Sequence, residues 1–115
     1  MANIQLSETE IMARVSSAAN DANINITLHV RIFFLRLLRL AEVDENGYYI
    51  KQPVADIGRA VDMPTRTVSY CLSCLVACGI LYTHGRSKPQ LRRINSDIIG
   101  TGLDSRGLRK KQPEE

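Results

Sequence analysis

Apolar residues recur along this chain at helical spacing in several stretches, separated by short polar breaks and three shorter runs of strand character. Ser7 followed by Glu10 has the spacing of a capping box. Ile11, Val15, Ala18, Ala19 and Ala22 then fall on one side at about 100° per residue, which predicts a first helix over residues 7–20. The Asn-rich stretch 20–25 interrupts it, because short amide side chains compete for backbone hydrogen bonds. From Thr27, placed as an N-cap, to about Glu42 the pattern is that of a long helix with its main stripe at Val30, Phe33, Phe34, Leu37, Leu40 and Ala41. Leu28, Ile32 and Leu35 lie on the opposite side beside Arg36 and Arg39. A helix apolar on two sides needs cover on two sides, so one face is assigned to the core and the other to the first helix or a second subunit. Asp44-Glu45-Asn46-Gly47 is a turn, and Tyr48-Tyr49-Ile50 has strand character.

Pro53 opens a short helix over 54–61, with Val54, Ile57 and Val61 at helical spacing, that stops at Asp62-Met63-Pro64. A second helix runs from Thr65 to Cys78, with Val68, Leu72, Leu75 and Val76 on one face and Gly79 where a terminating glycine belongs. Two helices joined by so few residues form a helix-turn-helix. The second turns Arg66, Ser69, Tyr70 and Ser73 outward with Thr65 at its tip: hydroxyls, a guanidinium and a phenol that reach base edges and phosphates, with no acid among them. Ile80 to Thr83 and Gln90 to Ile94 then read as the strands of a hairpin, with Arg86 and Lys88 at its tip and Arg92 and Arg93 on its second strand. The fold class expected is mainly α with a small β-sheet, a winged helix-turn-helix with an additional N-terminal helix. Residues 1–26 form the N-terminal helix and connector, 27–95 the winged domain and 96–115 a flexible tail.

Charge sharpens this picture. The 115 residues carry a net charge of only +3. Residues 1–63 hold 6 basic and 8 acidic side chains, residues 64–95 hold 5 basic and none acidic, and residues 96–115 balance 4 against 4. The excess lies in the second helix and hairpin, a segment that asks for an anion. Arg31, Arg36 and Arg39 break the richest apolar run, so no segment reaches the roughly 18 apolar residues of a membrane span. MANIQLSETE lacks the basic start and apolar block of a secretory signal, which places the chain in a reducing cytoplasm with Cys71, Cys74 and Cys78 as thiols.

The run Asp56-Ile57-Gly58-x-Ala60-Val61-x-Met63-Pro64-x-x-Thr67-Val68-Ser69-x-x-Leu72-x-x-Leu75-x-x-x-Gly79-Ile80-Leu81 resembles the DNA-binding domain of the Crp/Fnr family and, more loosely, MarR-type regulators. The resemblance spans residues 28–95. It implies that the helix from Thr65 enters the major groove and the hairpin touches backbone, with Thr65, Arg66, Ser69, Tyr70 and Ser73 as readers and Arg86 and Lys88 as wing contacts. With Thr67, Ser87 and Arg92 beside them, these residues make up the candidate DNA-binding set. Two departures stand out: Asp62 replaces the usual turn glycine, which Asp tolerates because it enters the left-handed region readily, and Arg66 stands where Crp-like helices carry an acid. There is also no room for a cyclic-nucleotide domain.

Other chemistry finds little support. Cys71, Cys74 and Cys78 form a strip along a helix with no fourth ligand, so they are assigned as small core hydrophobes and no metal or cofactor is expected. His29 and His84 lack catalytic partners, and Glu42, Asp44 and Glu45 read as a solvated turn, so no enzyme is expected. The function expected is sequence-specific binding of double-stranded DNA by a homodimeric transcriptional regulator or repressor, with Ile11, Val15, Ala18, Leu28, Ile32 and Leu35 offering dimerisation surface. Three alternatives fit the same features: a centromere- or origin-binding adaptor of plasmid or phage partition or replication that recruits a second protein, a protein-interaction module facing an acidic partner, and a thiol-based redox sensor.

Overall fold

The computed structural model describes residues 6–45, 47–84 and 91–99. Helix α1 (Glu8–Asp21) begins as the capping box requires, with the Ser7 hydroxyl accepting from the Glu10 N–H at 3.2 Å. Helix α2 (Leu28–Leu37) starts at Thr27, whose Oγ1 accepts from the Val30 N–H at 3.4 Å, and ends in a 3-10 turn, Leu38–Leu40. Strands β1 (Glu42–Asp44) and β2 (Gly47–Ile50) follow, then helices α3 (Val54–Val61) and α4 (Thr65–Ala77), strands β3 (Leu81–His84) and β4 (Leu91–Ile94), and a last turn of helix, α5 (Ser96–Ile99). The sheet is antiparallel throughout, in the order β1-β2-β4-β3. Helix, strand, helix-turn-helix and hairpin thus follow one another as in a winged helix-turn-helix, with α1 as the additional N-terminal helix.

Phe33, Phe34 and Leu37 of α2 are fully buried in one hydrophobic core shared with Val68, Cys71 and Leu75 of α4 and Ile50, Leu81 and Ile94 of the sheet. Each large side chain buried there contributes about 1.5–3 kcal/mol.

Three expectations change. The long helix stops short of Glu42: residues 42–44 form a strand pairing with Tyr49, Tyr48 and Gly47, so sheet pairing overrides the helical pattern. The first helix supplies core rather than free surface. Ile11 and Val15 are 3% and 0% exposed and Ala18 packs half-buried, so the ground for placing that stripe in a dimer is gone. Arg31 ties α1 to α2 through the Ser16 hydroxyl at 2.5 Å. Leu28 stays 70% exposed, while Ile32 and Leu35 are half-buried. Finally, the shift in composition near residue 96 does not end the fold. Ile98 and Ile99 of α5 are core residues, and Arg14 of α1 donates to the Asp97 carbonyl at 2.8 Å.

The helix ends explain how α3 and α4 are set. Gly79, at φ +76°, closes α4 with the Ile80 N–H on the Leu75 carbonyl and the Gly79 N–H on that of Val76, each 3.0 Å, the six-to-one and five-to-two pair of a Schellman cap. Asp62 closes α3 at φ +59°, with its own N–H and that of Met63 both on the Gly58 carbonyl, the latter at 3.0 Å. A left-handed non-glycine residue carries a cost that glycine does not. Asp62→Gly is therefore expected to stabilise the fold by about 0.5–1 kcal/mol, seen as a rise of several degrees in Tm by calorimetry.

Candidate nucleic-acid interface

Helix α4 buries Val68, Cys71, Leu72 and Leu75 and leaves Thr65, Arg66, Ser69, Tyr70 and Ser73 exposed, while Thr67 is half-buried at its edge. The five residues predicted to face outward thus share one surface stripe, because successive steps of three and four residues stay on one side of a helix. Pro64, the N-cap, offers no side-chain hydrogen bond to the first turn of α4. Two contacts seat α3 against its neighbours. Arg36 of α2 donates to the Val61 carbonyl at 2.7 Å, satisfying an end group of α3, and Gly58 lets α3 approach the turn closely, since a Cβ there would meet the Met63 carbonyl oxygen at 2.8 Å.

Two grooves flank the stripe. On the sheet side, a groove of about 440 Å³ has Val54, Leu72, Val76 and Ala77 as its apolar walls and Ser69, Ser73, Thr83 and Arg92 as its polar ones. Arg92 stands opposite Thr83 in the β3–β4 pair, and among the described residues its side chain's one hydrogen bond is a long one, 3.5 Å to the Gln52 carbonyl. Burial pulls the Arg92 pKa down from its ordinary value, and among the described residues no carboxylate forms an ion pair with it. A charged group so placed gains from an anion brought to it. On the α2 side a second groove, of about 540 Å³, runs between the start of α2 and the first half of α4, lined by Thr27, His29, Arg66, Thr67, Tyr70 and Cys71.

Arg93, one residue along, has a different task. It is 6% exposed and holds Asp44 of β1 with two parallel bonds, Nη1 to Oδ1 at 3.0 Å and Nη2 to Oδ2 at 2.8 Å. Its guanidinium lies 5.5 Å from the Tyr49 ring centroid. The hydrogen bond to Asp44 raises the Arg93 pKa above its ordinary value. Adjacent strand residues face opposite sides of a sheet, so Arg92 is turned toward α4 and Arg93 away from it. Glu42 and Asp44 lie in strand β1 rather than in a turn, and Glu42 pairs at the surface with Lys51 at 3.1 Å.

Cys71 and Cys78 are buried free thiols whose pKa values burial pushes up, so they sit in the core as neutral hydrophobes, and Cys74 is half-buried beside them. Among the described residues no three His, Cys, Asp or Glu side chains converge on a metal-binding point, and no helix is long and apolar enough to cross a membrane. A hydrogen bond with Cys74 raises the Tyr70 pKa above its ordinary value. Arg86, Ser87 and Lys88 lie outside the described residues, as does the side chain of His84. Sequence patterns did not point to Thr27 and His29 as neighbours of Arg66, because nothing local links positions almost forty residues apart; only the packing of α2 on α4 does so.

No family model matches the chain, and no curated protein does. Among solved structures the chain is similar to one described as "N-Terminal domain of DNA binding protein", at 14% identity and a TM-score of 0.46, covering 95% of this chain and 90% of that one.

Proposed function

We propose that this chain binds double-stranded DNA sequence-specifically, with α4 in the major groove and the β3–β4 hairpin against the backbone. The observation that carries this reading is the exposed stripe Thr65, Arg66, Ser69, Tyr70 and Ser73: donors and acceptors of the length needed at base edges, free of acid and flanked by Arg92. The likeness of residues 56–81 to the DNA-binding domains of the Crp/Fnr family supports it, and Arg86, Ser87 and Lys88, which lie outside the described residues, are assigned to the backbone from the sequence alone.

The finer role we assign is that of a transcriptional repressor acting by occupancy as a homodimer. One α4 makes few base contacts, and two-fold pairing doubles them across half-sites about one helical turn apart. Leu28, 70% exposed, leads the remaining candidate dimer surface on α2, with the half-buried Ile32 and Leu35 beside it. Sedimentation of the free chain and of its DNA complex reads this stoichiometry.

Selection of bound sequences from random duplex DNA tests the reading as a whole. On the recovered site Arg66→Ala should lose discrimination against random sequence on the order of 1–3 kcal/mol, the value of one base-reading side chain. Arg86→Ala and Lys88→Ala should weaken all sequences alike and flatten the salt dependence by about one unit of slope each. Equal loss on selected and random DNA for Arg66→Ala would remove its base-reading role.

A further inference from the structure

The groove between the start of α2 and α4 has no part in the interface as read from sequence, yet its chemistry matches that interface. Its polar lining is Arg66, His29, Tyr70, Thr27 and Thr67, a guanidinium, an imidazole and hydroxyls, with no carboxylate among them. His29 and Thr27 are exposed, and Leu28 between them is the most exposed large apolar residue described. The groove is open along the flank of α4 opposite Arg92, so the helix has a cation-bearing groove on each side. A helix with its side chains is about 10–12 Å across and the B-DNA major groove about 12 Å wide, so the two phosphate rows of a bound duplex run along those flanks.

We infer that this groove holds a backbone phosphate of the second DNA strand, with His29 as a further DNA contact beside Arg66 and the Tyr70 hydroxyl. The inference rests on α4 being the helix that enters DNA, and it goes further in assigning a residue of α2, outside the helix-turn-helix and the hairpin, to binding. Tyr70 then serves the backbone rather than a base, because it lines the flank groove and sits one turn beyond Arg66.

A phosphate contact is independent of sequence, so the probe is a short duplex of random sequence, with affinity measured by fluorescence anisotropy across a salt series. His29→Arg, which fixes a full cation in the groove, should tighten binding about fivefold and steepen the log–log salt slope by about 0.9. His29→Glu should weaken binding by roughly tenfold on random and selected sequences alike. Both changes are at an exposed position, and circular dichroism checks that the helices remain. Ser17→Arg adds the same charge on the exposed side of α1, away from the groove. If Ser17→Arg tightens binding as much as His29→Arg, the effect is one of net charge and the contact is overturned. If the His29 variants bind like the unaltered chain while Arg66→Ala is impaired, the groove assignment falls and the α4 reading stands. An unaltered chain with no salt-dependent binding overturns both.

Discussion

Gly58→Val is expected to cost about 3 kcal/mol or more of stability, enough to unfold much of the population of a marginal domain. Gly58 sits inside α3, where by propensity alone any replacement helps: alanine in place of a helix-interior glycine gains up to about 1 kcal/mol. Packing reverses the sign. The first side-chain carbon added there meets the Met63 carbonyl oxygen at 2.8 Å, a backbone atom that no rotamer change removes, and comes within 3.6 Å of Val68 Cγ2 and 4.0 Å of the Thr65 nitrogen. The only escape is to move α3 away from the turn and the start of α4, which strains the Asp62 cap and shifts the exposed stripe of α4. Alanine should lose about 1–2 kcal/mol after its propensity gain, and valine's branch adds the rest. Urea unfolding measures both. An alanine variant more stable than the parent would show that α3 and the turn are not packed as described, and DNA affinity should fall in the same order as stability.

The second large effect belongs to Asp44. Asp44→Ala leaves the Arg93 guanidinium, 6% exposed, without its carboxylate, and is expected to cost about 3 kcal/mol, the lower end for breaking a buried pair because the Asp44 side chain is itself 35% exposed. Asp44→Asn keeps one acceptor and should recover part of the loss. The double replacement Asp44→Leu with Arg93→Met removes both charges and should be close to the parent in stability, since well-packed apolar residues often match a buried pair. Non-additivity in that cycle, read by urea unfolding, is the signature of the contact. The pair also pins β1–β2 to β4 and so fixes which side of β4 faces α4, which makes Arg92 the neighbour of Ser69 and Ser73. Its loss should weaken DNA binding even in the folded fraction.

How far the sequence revealed this arrangement differs from element to element, for physical reasons. Helix α4 was legible because its signals are local: apolar residues at helical spacing, Pro64 before it and Gly79 after it. The capping of α1 by Ser7 was legible for the same reason. Strand β1 was not, since Glu-Val-Asp has no strand bias of its own and is held by pairing with Tyr48 and Tyr49. Arg92 and Arg93 look equivalent in a basic run, and only the register of β4 turns one to α4 and the other to Asp44. The apolar stripe of α1 was visible, but amphipathicity says only that a face is covered, and Val15 and Ile11 are covered from within the same chain. The α2 side of the candidate site escaped notice because Thr27 and His29 reach Arg66 through tertiary packing alone.

The most direct test of α4 as the DNA-binding helix is a titration of isotopically labelled protein with the duplex recovered by selection, following each backbone amide by NMR. The account predicts salt-sensitive shifts concentrated at residues 65–73, with Arg92 and His29 on the two flanks, and little change along the exposed side of α1 or at Tyr49 and Asp44 on the far face of the sheet. Shifts centred on α1 and α5 with α4 silent would contradict it.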